Sequence, residues 1–197
     1  MTDIQKASLL KRFSAFLLDV ILLVVFATGV AALMSVIIDF DKYIDLLDET
    51  KQECVDAGID MDKLDEKSYA SLTDAQKETY AKYEGALGTW FNLILLTVSL
   101  SFFFAYLVLE FLLPLLLFKN GQTVGKKVFG VGVMHVTGVR LTTFGLFVRS
   151  ILGKYTIETM VPFTLIMVTL FMRVGIIPFV VLVALAIFQI ILFFASK

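Results

Sequence analysis

Three carboxylates stand inside long apolar stretches of this 197-residue chain: Asp19, Glu110 and Glu158. An ionisable side chain inside a membrane span costs about 2.5–3.5 kcal/mol at the centre on insertion scales. Such residues turn toward the protein interior and mark ion pairs or pathways. A carboxylate held out of water can hold a proton or a metal ion in turn, which makes these three the candidate ion- and proton-binding residues. Three cations are the candidate electrostatic partners: Arg12, Arg149 and Lys154. Arg12 and Asp19 are seven residues apart, on nearly one helix face but about 10 Å apart along the axis, so each is expected to meet a partner on another element. Glu110 is a candidate partner for Arg12 or Arg149, and Glu158 for Lys154 at i, i+4.

The elements that must position these residues are apolar helices. The chain is 58% hydrophobic with a mean hydropathy of +0.87, far above the roughly 45–50% apolar fraction of a soluble domain. Residues 13–38 form one run, interrupted only by Asp19, and exceed the ~20 residues needed to span. The run is also too long for a signal-peptide core. Residues 90–118 form a second, containing Glu110 and Pro114. From Ile151 to Ala195 the apolar stretch suits two crossings, 151–172 and 174–195, joined by a tight turn near Arg173 and Gly175. The expected fold is an all-α integral membrane protein with four transmembrane helices. In that frame the three carboxylates lie roughly 6–12 Å from the cytoplasmic ends of their helices and can share one layer.

Charge orients the helices. The 119–150 loop is basic and free of acids, whereas 39–89 holds 14 of the 18 acidic residues and a net charge of −8. The positive-inside rule puts the basic loop, the 1–12 segment and the C-terminus in the cytoplasm of what is expected to be a bacterial cytoplasmic membrane. The acidic loop then forms a helical extracytoplasmic cap, with Thr73 and Gln76 as a capping box. Asp60, Asp62 and Asp65 lack calcium-loop spacing. The basic loop is expected to contain a short hairpin near Thr137–Gly138, then an interfacial helix capped by Thr142 or Thr143. Trp90 and Tyr155, near the span ends, read as interfacial anchors.

Other chemistries are disfavoured. One cysteine, Cys54, and one histidine, His135, build neither a disulfide nor a Cys/His metal cluster, and no metal site or cofactor is expected. No Ser/His or Cys/His set for an enzyme is present. A near-zero net charge argues against nucleic acid. Gly121 to Lys126 differs from a phosphate-binding loop in glycine spacing, and Lys127 stands where that loop needs Ser or Thr.

Two segments carry a resemblance. Arg12-Phe13-Ser14-Ala15-Phe16-Leu17-Leu18-Asp19 and Gly121-Gln122-Thr123-Val124-Gly125-Lys126-Lys127, with Gly130, Val133 and the later Arg149, resemble the RDD family of small membrane proteins. The resemblance implies this helical membrane topology and transport of an unidentified ligand. The family also implies a further aspartate beyond the last helix, but the sequence ends at Lys197, so no role resting on that residue carries over. Two functions are therefore expected. One is proton-coupled transport of a small cation at Asp19, Glu110 and Glu158, with Arg12, Arg149 and Lys154 as electrostatic partners. The other is a non-catalytic scaffold binding membrane proteins or anionic lipid. A homo-oligomer would supply the material that four short spans lack.

Overall fold

The computed structural model describes residues 7–61, 64, 66–118, 121–132, 142–171 and 177–195, and every regular element among them is helical. The helices are α1 (Leu9–Ile38), α2 (Phe40–Asp56), α3 (Glu66–Ala70), α4 (Asp74–Ala105), α5 (Val124–Val128), α6 (Thr143–Phe147), α7 (Val161–Phe171) and α8 (Ile177–Ala195). Segments wound as π-helix, Tyr106–Leu112 and Pro114–Phe118, extend α4, and a third, Val148–Met160, joins α6 to α7. Three runs are long and apolar enough to cross a membrane: Leu9–Ile38, Asp74–Phe118 and Thr143–Thr169; Phe179–Ile191 is a shorter apolar helix. The chain is an integral membrane protein. The expected hairpin near Thr137–Gly138 and the turn near Arg173 and Gly175 fall outside the described residues.

Composition explains the runs. In α1 large apolar side chains such as Val25, Val36 and Ile37 remain exposed, the pattern of a helix with apolar residues all round. α1 ends at Ile38, where the apolar run ends. Asp39 then takes a left-handed conformation, φ 55°, as the residue before α2; aspartate tolerates this region better than most residues. The second span ends at Phe118 as hydropathy indicates. Its helix begins at Asp74, well before Trp90, because the acidic sequence that precedes the apolar run is itself helix-forming and continues into it without a break.

Two compact units emerge, Met1–Val30 with Ser99–Lys197, and Ala31–Val98. In the first, the buried core joins Leu23 and Ala27 of α1, Ala105 and Tyr106, and Ile151, with Phe102, Phe103, Leu109 and Tyr155 against it. The small side chains Ala27 and Ala105 let helices approach closely, the usual means of packing where no hydrophobic effect drives helices together. In the second unit, the capping box opens α4: Gln76 N donates to Thr73 Oγ1 (3.3 Å) and Thr73 N to Gln76 Oε1 (3.0 Å). Gln76 Nε2 also donates to the Ala57 carbonyl (2.9 Å), tying α4 to the end of α2. Cys54 is fully buried, 3.8 Å from the Thr79 carbonyl, and Tyr69 packs edge-on against Tyr80.

Candidate functional site

The site grows from a proline. Pro114 has no N–H, and its ring displaces the carbonyl four residues back, which is that of Glu110. Around it the helix widens to π winding: the Leu113 amide donates to the Val108 carbonyl, five residues back. The Glu110 carbonyl, freed from its usual partner, accepts from Ser150 Oγ at 2.8 Å. Ser150 is 1% exposed, so this bond compensates a polar group that neither water nor lipid would serve. It also pins the Val148–Met160 segment against Tyr106–Leu112 at the level of Glu110.

The carboxylate of Glu110 is buried, 5% exposed, and Lys154 Nζ lies 2.6 Å from its Oε1. Neither cation expected for Glu110, Arg12 or Arg149, takes that place. Glu158 is exposed, and it lies on Val148–Met160, which is π-wound. Thr156 and Thr159 bond the carbonyls of Ile151 and Lys154, each five residues back. In that winding the i, i+4 geometry that would join Lys154 to Glu158 is not set up. The three carboxylates thus occupy different settings: Glu110 in a buried ion pair, Asp19 half-buried, Glu158 on the surface.

Asp19 is where the two family-like segments meet. Its Oδ2 accepts from Thr123 Oγ1 at 2.5 Å and its Oδ1 from the Gly125 amide at 2.7 Å. Thr123 is also the N-cap of α5 and accepts from the Lys126 amide. A Cβ on Gly125 would overlap the Ala15 carbonyl oxygen and lie 2.9 Å from the Asp19 carboxylate, so only glycine allows α5 to seat on α1. The other end of α5 closes as a Schellman turn. Gly130 is left-handed, φ 65°; Val131 N donates to the Lys126 carbonyl (2.8 Å) and Gly130 N to that of Lys127 (3.3 Å). Gln122 Nε2 donates to the Val131 carbonyl (2.8 Å), folding Gly121–Val131 back on itself.

The α5 lysines differ. Lys127 is exposed, 6.0 Å from the centre of the Phe118 ring. Lys126 is half-buried, and its pKa is lowered to about 7, first by loss of water and then by the neighbouring charges of Arg149 and Lys154; Glu110 and Asp19 oppose the shift. Thus four expected charged residues, Asp19, Glu110, Arg149 and Lys154, act on one ammonium group. Among the described residues no cluster of three or more His, Cys, Asp or Glu side chains is arranged to hold a metal ion.

Sequence reasoning missed the hydroxyl groups beside the ion pair. Tyr155, expected as an interfacial anchor, packs against other helices: its ring lies 5.5 Å from Phe103 and 6.0 Å from Tyr106, and its hydroxyl meets Ser99 Oγ at 3.0 Å and the Ser99 carbonyl at 3.2 Å. The Tyr106 hydroxyl meets Thr159 Oγ1 at 2.7 Å. The available signal was Tyr106 four residues before Glu110 and Tyr155 beside Lys154, two tyrosines each attached to the same charged layer.

Apolar spans, a buried ion pair between them, and a glycine-dependent loop seated on an aspartate in the first span define a helical membrane protein with an internal charged layer. The chain belongs to the RDD family, whose model matches residues 6–197. No curated protein and no solved structure was found to match it.

Proposed function

We propose that this protein exchanges a small cation for protons across a membrane, with the Glu110 carboxylate as the exchange site. The observation that carries this reading is the Glu110–Lys154 pair. A buried carboxylate whose ion-pair partner among the described residues is Lys154, placed between apolar helices, carries a desolvation cost that a site using its charge would justify. Glu110 takes one positive partner at a time: the Lys154 ammonium, an incoming cation or a proton. Arg149 and Lys126 bias that competition from nearby. Asp19 acts beside it. Protonation of Asp19 weakens both bonds from Thr123 and Gly125, loosening the loop that borders the site. In this reading α8 supplies a fourth span, both termini are cytoplasmic and a homo-oligomer forms in a bacterial membrane.

A second reading has its own support. Both Asp19 oxygens are already engaged by the loop, which suits a structural lock in a scaffold that binds partner proteins or anionic lipid. Proteoliposomes separate the two. Under an imposed pH gradient, wild type should move Na⁺, K⁺ or Li⁺, while Glu110→Gln, less stable because it strands the Lys154 ammonium, should be inactive at a temperature where its melt shows it still folded. An inactive wild type, with Asp19→Asn losing thermal stability, would reject exchange in favour of the lock.

A further inference from the structure

Two of the charged groups near Glu110 have nothing to neutralise them. Lys126 on α5 and Arg149 on the Val148–Met160 segment are both half-buried. Among the described residues neither the ammonium nor the guanidinium has a hydrogen-bond acceptor or an ion-pair partner. The neighbouring carboxylates are already engaged, Asp19 by Thr123 and Gly125, and Glu110 by Lys154. So are the α5 amides: Gly125 N donates to Asp19 and Lys126 N to Thr123 Oγ1, which leaves side chains alone to hold an incoming group. Three cations, Lys126, Arg149 and Lys154, thus share this corner with two carboxylates, and after burial it is the charges of Arg149 and Lys154 that depress the Lys126 pKa. Half-buried like charges without a counter-ion are unfavourable, and an anion bridging Lys126 and Arg149 relieves them.

Their place in the chain says which anion. Arg149 stands early in the membrane-crossing run Thr143–Thr169, and Lys126 follows the second run, which ends at Phe118, the ring that Lys127 overlies. Basic side chains beside span ends meet lipid headgroups. Phe144, Phe147 and Leu152, all close to Arg149 in sequence, are exposed and offer an apolar border that acyl chains can cover and a soluble anion cannot use. A guanidinium fork suits two phosphate oxygens, and an ammonium adds a point charge. A zwitterionic headgroup brings an ammonium of its own, which both residues repel.

We propose that Lys126 and Arg149 together bind the phosphodiester of an anionic phospholipid, whose acyl chains lie along Phe144, Phe147 and Leu152. The site goes beyond the exchange reading and does not depend on it.

The test titrates purified, delipidated full-length protein in detergent with phosphatidylglycerol and with phosphatidylcholine of the same acyl chains, reading bound lipid by native mass spectrometry. Wild type should prefer phosphatidylglycerol. Lys126→Met and Arg149→Gln should each weaken its binding roughly fivefold, the scale of one basic residue at an anionic lipid surface. Lys127→Met should change it less than either, and Arg149→Lys, which keeps the charge, should retain the preference. Phosphatidylglycerol should also slow acetylation of the Lys126 amine several-fold, whereas phosphatidylcholine should not. Equal affinity for the two lipids would overturn the proposal, as would wild-type binding by both Lys126→Met and Arg149→Gln in protein that melts as a folded species. Inorganic phosphate that protects Lys126 as well as phosphatidylglycerol does would overturn the lipid assignment and mark a soluble-phosphate site. None of these measurements uses transport, so a protein that moves no cation but passes them would lose the exchange reading and keep this site.

Discussion

Replacing Gly125 by alanine is the sharpest probe of how the loop is held. The added methyl must move at least about 0.5 Å to change its 2.9 Å approach to the Asp19 carboxylate into an ordinary 3.4 Å contact, and further to clear the Ala15 carbonyl oxygen. That oxygen belongs to a helix backbone and cannot turn away. α5 must therefore lift, and both bonds to Asp19 lengthen together. Hydrogen bonds to charged groups contribute about 1.5–3 kcal/mol each, and Asp19 is only half-buried, so a loss of about 3 kcal/mol is expected. At roughly 2–4 °C per kcal/mol this lowers the melting temperature by about 6–12 °C. Asp19→Asn should cost less, about 1–2 kcal/mol, because an amide still accepts from Gly125 N and can donate to Thr123. Melting in detergent, together with the rate of tryptic cleavage after Lys126 and Lys127, measures both effects. If Gly125→Ala melts with wild type and its loop is cut no faster, the seating of α5 on α1 is wrong.

Three further outcomes follow from the charged layer. Glu110→Gln or Lys154→Met alone should destabilise by about 3–5 kcal/mol and the double variant by less than their sum, read by a double-mutant thermal cycle. Ser150→Ala leaves the Glu110 carbonyl without its partner and should cost about 1–3 kcal/mol in the same assay. Lys126 has a folded pKa of about 7, below that of an unfolded lysine, so between about pH 7 and 10.5 the unfolded chain binds more protons and stability rises with pH. Lys126→Met should flatten that rise in melts taken across the range; an unchanged slope would place the titrating group elsewhere.

Much of the frame was legible because hydropathy and capping act locally. The ends of the first two apolar runs at Ile38 and Phe118 coincide with helix ends, the Thr73/Gln76 box forms, and Thr142 caps α6, accepting from the Gly145 amide at 3.1 Å. The glycines of the loop were legible as a motif, but not their purpose: that Gly125 clears Ala15 depends on where α1 passes. The ionic partners were misjudged for a specific reason. Pairing Lys154 with Glu158 assumes 3.6 residues per turn, and the segment carrying them is π-wound, a departure no local propensity announces. Nearness to a span end says nothing of what Tyr155 packs against: Thr143–Phe171 runs as one unbroken helix and sets its ring against the core.

Cys54 has a practical meaning. Its thiol is fully enclosed, and burial together with the charge of Glu53 raises its pKa, so in the closed fold it is doubly shielded from alkylation. The wild-type chain therefore contains its own stopwatch. The pace at which a maleimide reaches this one sulfur reports how often α2 parts from α4, with no engineered reporter. The same silence makes the native protein a ready background for cysteines introduced one at a time, whose labelling from either side would establish on which face of the membrane each segment lies.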